Sequence, residues 1–299
     1  MQDRFDGWLN IYKEKGKTSF SISRALKKKF NFKKLGHLGT LDPKAEGVLP
    51  IAIGEATKSI NFITNNKKKY SFIIKWGEET DTCDSEGRVI KICQKRPSYN
   101  EVNFIVNKFF LGEINQVPPI FSAVKIDGIR AYKLARKNIK FQIKEKKVNI
   151  YKLVVKKTKD INFSKFEVVC SKGTYVRSLA RDIARKLGTA GFAYEIIRTE
   201  DNIFKIKDST PLENILRLSV SEINKKLLPI ESALDNVKII NLEKKYSVML
   251  KNGIMLNLKS IKRKIDSDNK LILVKADNKL VSIAYLKKEY IIPRRNFNL

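Results

Sequence analysis

The sequence predicts an α+β fold, and three observations carry that reading. Segments with helical and strand periodicity are interspersed along the chain rather than grouped. The pair Asp127-Gly128 closes a strand-like segment over 121–127. Such a pair marks a hairpin, which argues against a purely parallel sheet. After Pro229 the texture changes to short strand-like runs, LILVKA at 271–276 and LVSIAYL at 280–286, with turn pairs at Asn252-Gly253 and Asp277-Asn278. A boundary near 232–238 is expected, giving a large unit over 1–237 and a small β-rich one over 238–299.

Along the chain, Ser19 is followed by Ile22, Ala25, Leu26 and Phe30, the spacing of a helix behind a polar cap, with Arg24, Lys27, Lys28 and Lys29 outward. Residues 36–58 are expected to form a loop. The stretch 69–76 predicts a strand with Tyr70, Phe72, Ile74 and Trp76 on one face. Ser98 and Glu101 form a capping box ahead of Val102, Ile105, Val106, Phe109 and Phe110. Residues 121–127 predict a strand, 129–147 a basic segment, and 148–156 and 165–170 further strands. A helix is expected from Thr174, with Val176, Leu179, Ala180, Ile183 and Leu187 inward and Gly188 as its C-cap. Residues 193–198 predict a strand, and Asp208-Ser209-Thr210-Pro211 a cap with Pro at the first helical position.

Composition narrows the function. The net charge of +30 favours a polyanionic partner, with nucleic acid the default. The competing source is compositional drift, since Lys far outnumbers Arg and Ile and Asn are abundant. No apolar run approaches the roughly 20 residues of a membrane span, and the N-terminal sequence has no apolar signal region. Cys83, Cys93 and Cys170 are scattered and odd in number, which fits free thiols in a reducing cytoplasm. One histidine and no Cys-x-x-Cys pair make a zinc site improbable. Phosphate-cradling glycine motifs and a nucleophile elbow are missing. No cofactor and no metal are expected, so any chemistry falls to side chains alone.

The segment 36–58, GHLGTLDPKAEGVLPIAIGEATK, concentrates the candidates. It holds four glycines, the only histidine, His37, and Asp42 ahead of Pro43. Read by itself, Asp42 is either the capping carboxylate of an Asx-turn or a catalytic acid on a rigid loop.

That segment closely resembles the signature GHxGTLDPxAxGxLxxxxGxATK of the TruB family of tRNA pseudouridine synthases. Further segments agree in order: Gly7 to Ser19, KKYSF at 68–72, TDTCDSEG at 80–87, QVPPIFSAVKIDGIRAYKLAR at 116–136 and CSKGTYVRSLARDIARKLG at 170–188. PIESAL at 229–234 is also similar. Two positions depart from the pattern. Lys13-Glu14 stands for the family's Lys-Pro, which puts the stiffness of that turn in question, and Glu86 stands where Asp is usual.

The resemblance implies a pseudouridine synthase fold, with a mixed, largely antiparallel sheet flanked by helices, and a small PUA-like RNA-binding domain over 238–299. It implies isomerisation of uridine 55 in the T-loop of tRNA by a cytoplasmic, cofactor-free monomer. The base must leave the stack to be reached. Asp42 is then the catalytic carboxylate, oriented by Arg177, and Tyr175 a second active-site group. Tyr70 stacks on the flipped uracil, Ile196 lines its pocket, and His37, Lys13 and Lys125 contact RNA. A basic segment over 118–148 clamps it. Bland readings stand beside these. Tyr70 and Ile196 read equally as core strand residues, Arg177 as a surface arginine on a basic helix, and His37 as an ordinary loop residue. Two other functions compete: an RNA-folding chaperone using the same surface, and a guide-RNA-dependent relative. The set Asp42, Tyr70, Tyr175 and Arg177 favours the enzyme over the chaperone, which would not need it.

Overall fold

The computed structural model describes residues 5–63, 67–259, 261 and 270–299. Residues 1–4 and 64–66 of the first expected unit, and 260 and 262–269 of the second, lie outside the described residues. Strand β1 (Gly7–Lys13) leads into α1 (Ser19–Phe30). The cap is Thr18, whose hydroxyl accepts the Ser21 amide while Ser21 returns a bond to the Thr18 backbone. Ile22, Leu26 and Phe30 are buried and the four basic side chains exposed, as the spacing predicted.

Residues 36–58 are not one loop. They contribute β2 (Leu35–His37), β3 (Glu46–Ile53) and a 3-10 turn over Gly54–Phe62, which leaves irregular only 38–45. The run VLPIAI is buried on both faces, so it lacks the alternation that announces a half-exposed strand. Gly47 serves close packing: at φ 107°, a Cβ there would lie 2.2 Å from the Arg198 carbonyl oxygen.

Strand β4 (Lys67–Trp76) alternates as predicted, and β5 (Glu78–Thr80) pairs with β6 (Val89–Ile92). Helix α2 (Tyr99–Phe109) carries the predicted Ser98–Glu101 box and leads to β7 (Gly112–Gln116). The strand expected over 121–127 shrinks to β8 (Lys125–Ile126), paired with β9 (Ile129–Arg130) around Asp127 and Gly128, both at positive φ. Its first half is not strand because its carbonyls are bound elsewhere, Phe121 O by Arg177 and Ala123 O by Arg130. Helix α3 (Ala131–Arg136) and β10 (Lys146–Lys156) follow, then β11 (Phe163–Ser171) and α4 (Val176–Lys186). Tyr175 is the N-cap residue of α4, and Gly188 takes the left-handed conformation just beyond its end. Strands β12 (Gly191–Asp201), β13 (Phe204–Lys205) and β14 (Thr210–Pro211) complete the sheet. Helices α5 (Leu212–Arg217) and α6 (Val220–Lys225) come next. Pro211 caps α5 from outside rather than opening it, because Thr210 and Pro211 pair with β1.

The ten-stranded sheet runs β14-β1-β3-β12-β4-β11-β10-β7, with β13 on β12 and β2 on β3. Among the described residues of this sheet, only β1–β14 and β3–β12 pair in parallel. Tyr70, Phe72, Ile74 and Trp76 share one core with residues of α1, α2 and α4. A second sheet, β15-β17-β18-β19-β16, is built from β15 (Lys238–Asn241), β16 (Leu256–Asn257), β17 (Lys270–Ala276), β18 (Lys279–Lys287) and β19 (Tyr290–Asn296), with α7 (Lys244–Lys251) beside it. Leu273, Leu280, Ile283 and Phe297 of that region join Trp8, Val48 and Ala52 in a common apolar cluster, so the two sheets share buried surface. Among the described residues no helix is long and apolar enough to cross a membrane.

Candidate active site

The irregular segment 38–45 lies between α1 and the start of α4, and its sequence explains how it is held. Ser19, in the first turn of α1, donates to the Leu41 carbonyl and accepts the Leu41 amide. Lys13, at the end of β1, is fully buried, and its ammonium donates to the carbonyls of Ala45 (2.6 Å), Pro43 (3.2 Å) and Glu14 (3.2 Å). Burial lowers its pKa to about 8, with the Asp42 charge pulling the other way. The turn that lacks the family's proline is tied down regardless, because the Gly16 amide donates to Pro43 O at 2.8 Å.

Asp42 projects from this braced loop, with 40% of its side chain exposed. Arg177 Nε lies 2.8 Å from its Oδ2. The N–H is off line, so the contact is an ion pair rather than a directed hydrogen bond. Arg177 itself is 5% exposed. Its Nη1 donates to Thr82 O (3.0 Å) and lies 3.3 Å from Asp84 Oδ2, and its Nη2 donates to Phe121 O (3.2 Å). Arg177 is therefore no surface arginine of a basic helix. Buried Asp84 is held in turn by Thr82 Oγ1 (2.6 Å) and the Glu86 amide (3.0 Å). Tyr175 is fixed through its backbone, which exchanges two hydrogen bonds with the Gln116 side chain. Burial raises its phenol pKa, and the Asp42 charge adds to that. Lys146, at the close of the basic segment, stands 4.3 Å over the Tyr175 ring.

A second group gathers at the opposite end of the loop. Register places Tyr70 beside Arg198 and Ile196 beside Phe72. Tyr70 is 7% exposed. Ile196 is equally buried. His37 Nε2 lies 3.1 Å from Thr40 Oγ1, and burial and then Arg198 lower its pKa. Lys125 is exposed on β8, without a hydrogen bond or ion pair among the described residues. The loop thus brings Asp42, Lys13, Arg177 and Tyr175 together. His37 flanks its start, Tyr70 adjoins it through its strand neighbour Arg198, which donates to Gly39 O, and Ile196 lies in the sheet beside Phe72.

Sequence reasoning named none of Asp84, Gln116, Lys68, Arg198 or Asp201 as site residues. A usable signal existed for Lys68, which alternates with Tyr70 and Phe72 and so falls on the buried face of β4. A lysine there requires a partner.

The burial of Tyr70 shapes its test. Tyr70→Phe removes one hydroxyl and should slow single-turnover isomerisation several-fold, with little loss of melting temperature. If the ring also holds the base, Tyr70→Leu should lose much more rate, and in either case about 1–3 kcal/mol of stability, because the ring is core. Equal rates for the two variants, measured well below either melting temperature, would deny the ring a part in holding the base.

Residues 27–176 match the model of the TruB family pseudouridylate synthase N-terminal domain. The chain is 39% identical over 284 residues to tRNA pseudouridine synthase B of Clostridium acetobutylicum, covering 95% of this chain and 96% of that one. It is 38% identical to the protein of the same name from Bradyrhizobium diazoefficiens, covering 100% of this chain and 88% of that one. Among solved structures, the crystal structure of a Cbf5-Nop10-Gar1 complex contains a chain that superposes with a TM-score of 0.74. That match has 22% identity and covers 98% of this chain and 84% of the other, which speaks for the fold. An Asp42-bearing loop braced on its own mixed sheet, a matching family model and near full-length relatives converge: the chain belongs to the TruB family of pseudouridylate synthases.

Proposed function

We propose that this pseudouridine synthase isomerises uridine 55 in the T-loop of tRNA, as a monomer in the cytoplasm, without metal or nucleotide cofactor. The observation that carries the reading is the Asp42–Arg177 ion pair at the mouth of a loop that Lys13 and Ser19 hold from beneath. The target nucleotide flips out of its loop. Its uracil lies against Tyr70, with Ile196 along the pocket wall, and Asp42 acts at the ribose. The N1–C1′ bond breaks, the uracil turns, and C5 joins C1′. C5 gives up its proton beside Tyr175 while N1 gains one, so no co-reactant is consumed. His37 and Lys13 stand at the RNA-facing loop, Lys13 through the backbone it braces.

Affinity comes from phosphate contacts. The segment 118–148, which carries Lys125, holds nine basic and two acidic residues and clamps the RNA hairpin. Where β4 begins and β11 and β12 end, an open cavity of about 1110 Å³ is lined by Lys67, Lys69, Lys172 and Lys205, with Glu200 and Asp235 also on its wall. The unit 238–299, of PUA type, docks the rest of the tRNA. The test is to map pseudouridine in total tRNA from cells with and without this protein. Loss confined to uridine 55 is expected. Unchanged uridine 55, or loss at another site, would overturn the assignment.

A further inference from the structure

We propose that the buried Lys68–Asp201–Arg198 cluster positions the loop that bears Asp42, with Arg198 as the member that touches it. The proposal rests on Asp42 being the catalytic carboxylate. Arg198 is a positioning residue, not a catalytic one.

The three side chains come from adjacent ends of β4 and β12, where register sets Lys68 opposite Asp201 and Tyr70 opposite Arg198. They are 7%, 0% and 1% exposed. Arg198 Nε donates to Val48 O at 2.7 Å, and its Nη2 donates to Gly39 O at 3.0 Å. Those two carbonyls bracket the segment that contains Asp42. One planar group therefore fixes the distance between the two ends of the loop. Its Nη1 lies 3.3 Å from Asp201 Oδ2, the oxygen to which the Lys68 ammonium also donates. The carboxylate thereby holds the guanidinium plane in place.

The cluster lies directly against the loop backbone. A Cβ on Gly39, at φ 72°, would sit 2.7 Å from Lys68 Nζ and 3.4 Å from Arg198 Nη1. Lys13 grips the same loop from the other side through Pro43 O and Ala45 O. Simple fold stabilisation is a poor account of these charges. Burying two cations and a carboxylate costs solvation that apolar residues of similar size avoid. What the charged set supplies, and apolar packing cannot, is a rigid fork aimed at two backbone oxygens.

The experiment pairs Arg198→Lys with the double variant Lys68→Met/Asp201→Leu, which preserves the cluster's net charge. Two quantities are read: single-turnover isomerisation at saturating tRNA, and amide hydrogen exchange at Leu41 and Ala45. Lysine keeps the charge of Arg198 but cannot span both carbonyls. Arg198→Lys is expected to lose at least tenfold in rate, to hold tRNA affinity within twofold, and to exchange Leu41 and Ala45 at least tenfold faster. If Arg198→Lys does not fold, the double variant decides, with faster exchange and at least a threefold rate loss expected. Lower melting temperature with native loop exchange and native rate would overturn the proposal, as would a rate loss that merely follows tRNA affinity. If the native protein fails to isomerise tRNA uridine at all, the assignment of Asp42 falls. The exchange measurement still decides whether the cluster holds the loop.

Discussion

Asp42→Asn is expected to reduce isomerisation by roughly 10³-fold or more, while tRNA affinity stays within a few-fold of the native protein. The substitution removes the carboxylate and keeps the size and polarity of the side chain. The fold should tolerate it, because Asp42 is 40% exposed and Arg177 retains Thr82 O, Phe121 O and Asp84 when the Asp42 pair is gone. Ser19 and Lys13 hold the loop by its backbone, so its path does not depend on the carboxylate. Tritium released from C5-labelled uridine gives the rate, and filter binding at several salt concentrations gives the affinity. Substantial turnover by the variant would remove Asp42 from the chemistry. Lost binding with intact saturated turnover would make it an RNA contact.

Arg177→Lys is expected to slow the saturated reaction by about 10²-fold with affinity nearly unchanged. The guanidinium reaches Asp42 with Nε, Asp84 and Thr82 O with Nη1, and Phe121 O with Nη2. A lysine ammonium is a single point of charge and cannot serve all four. It does keep a cation beside buried Asp84. Removing the charge outright would strand that carboxylate, at a cost of about 3–5 kcal/mol. Asp84→Asn should reproduce part of the rate loss, because it frees the edge of the guanidinium that faces away from Asp42. A phosphate-contacting arginine would behave in the opposite way. Binding would weaken, the salt dependence would shrink by about one phosphate, and turnover at saturation would survive. That pattern would leave Asp42 without an orienting partner.

Much of this was legible along the chain because it is local. Helix α1, helix α2 with its capping box, the alternating face of β4 and the Asp277-Asn278 turn are each set by residues a few positions apart. Their signals survive without knowledge of the fold. Segment 36–58 misled for a physical reason. Glycines and Pro50 mark turns in most contexts, but here Gly47 allows a backbone to approach Arg198, and Pro50 lies in a strand buried on both faces.

Read by itself, the loop left Asp42 open between a turn cap and a catalytic acid, and the resemblance pointed to Asp42, Arg177, Tyr175 and Tyr70. What the sequence alone determined is the locally coded elements, among them α1, α2, α4 and β4, together with the basic charge and the identity of that loop. Only the tertiary structure decided what holds the loop. Lys13 comes from β1, Ser19 from α1, Asp84 from the turn between β5 and β6, and Arg198, Lys68 and Asp201 from strands that meet only in the sheet. Lys68 and Asp201 lie far apart in sequence, 133 positions. No periodicity relates two such residues. A buried ion pair exists because two strand ends share one dry interior, and that interior exists only once the sheet has formed.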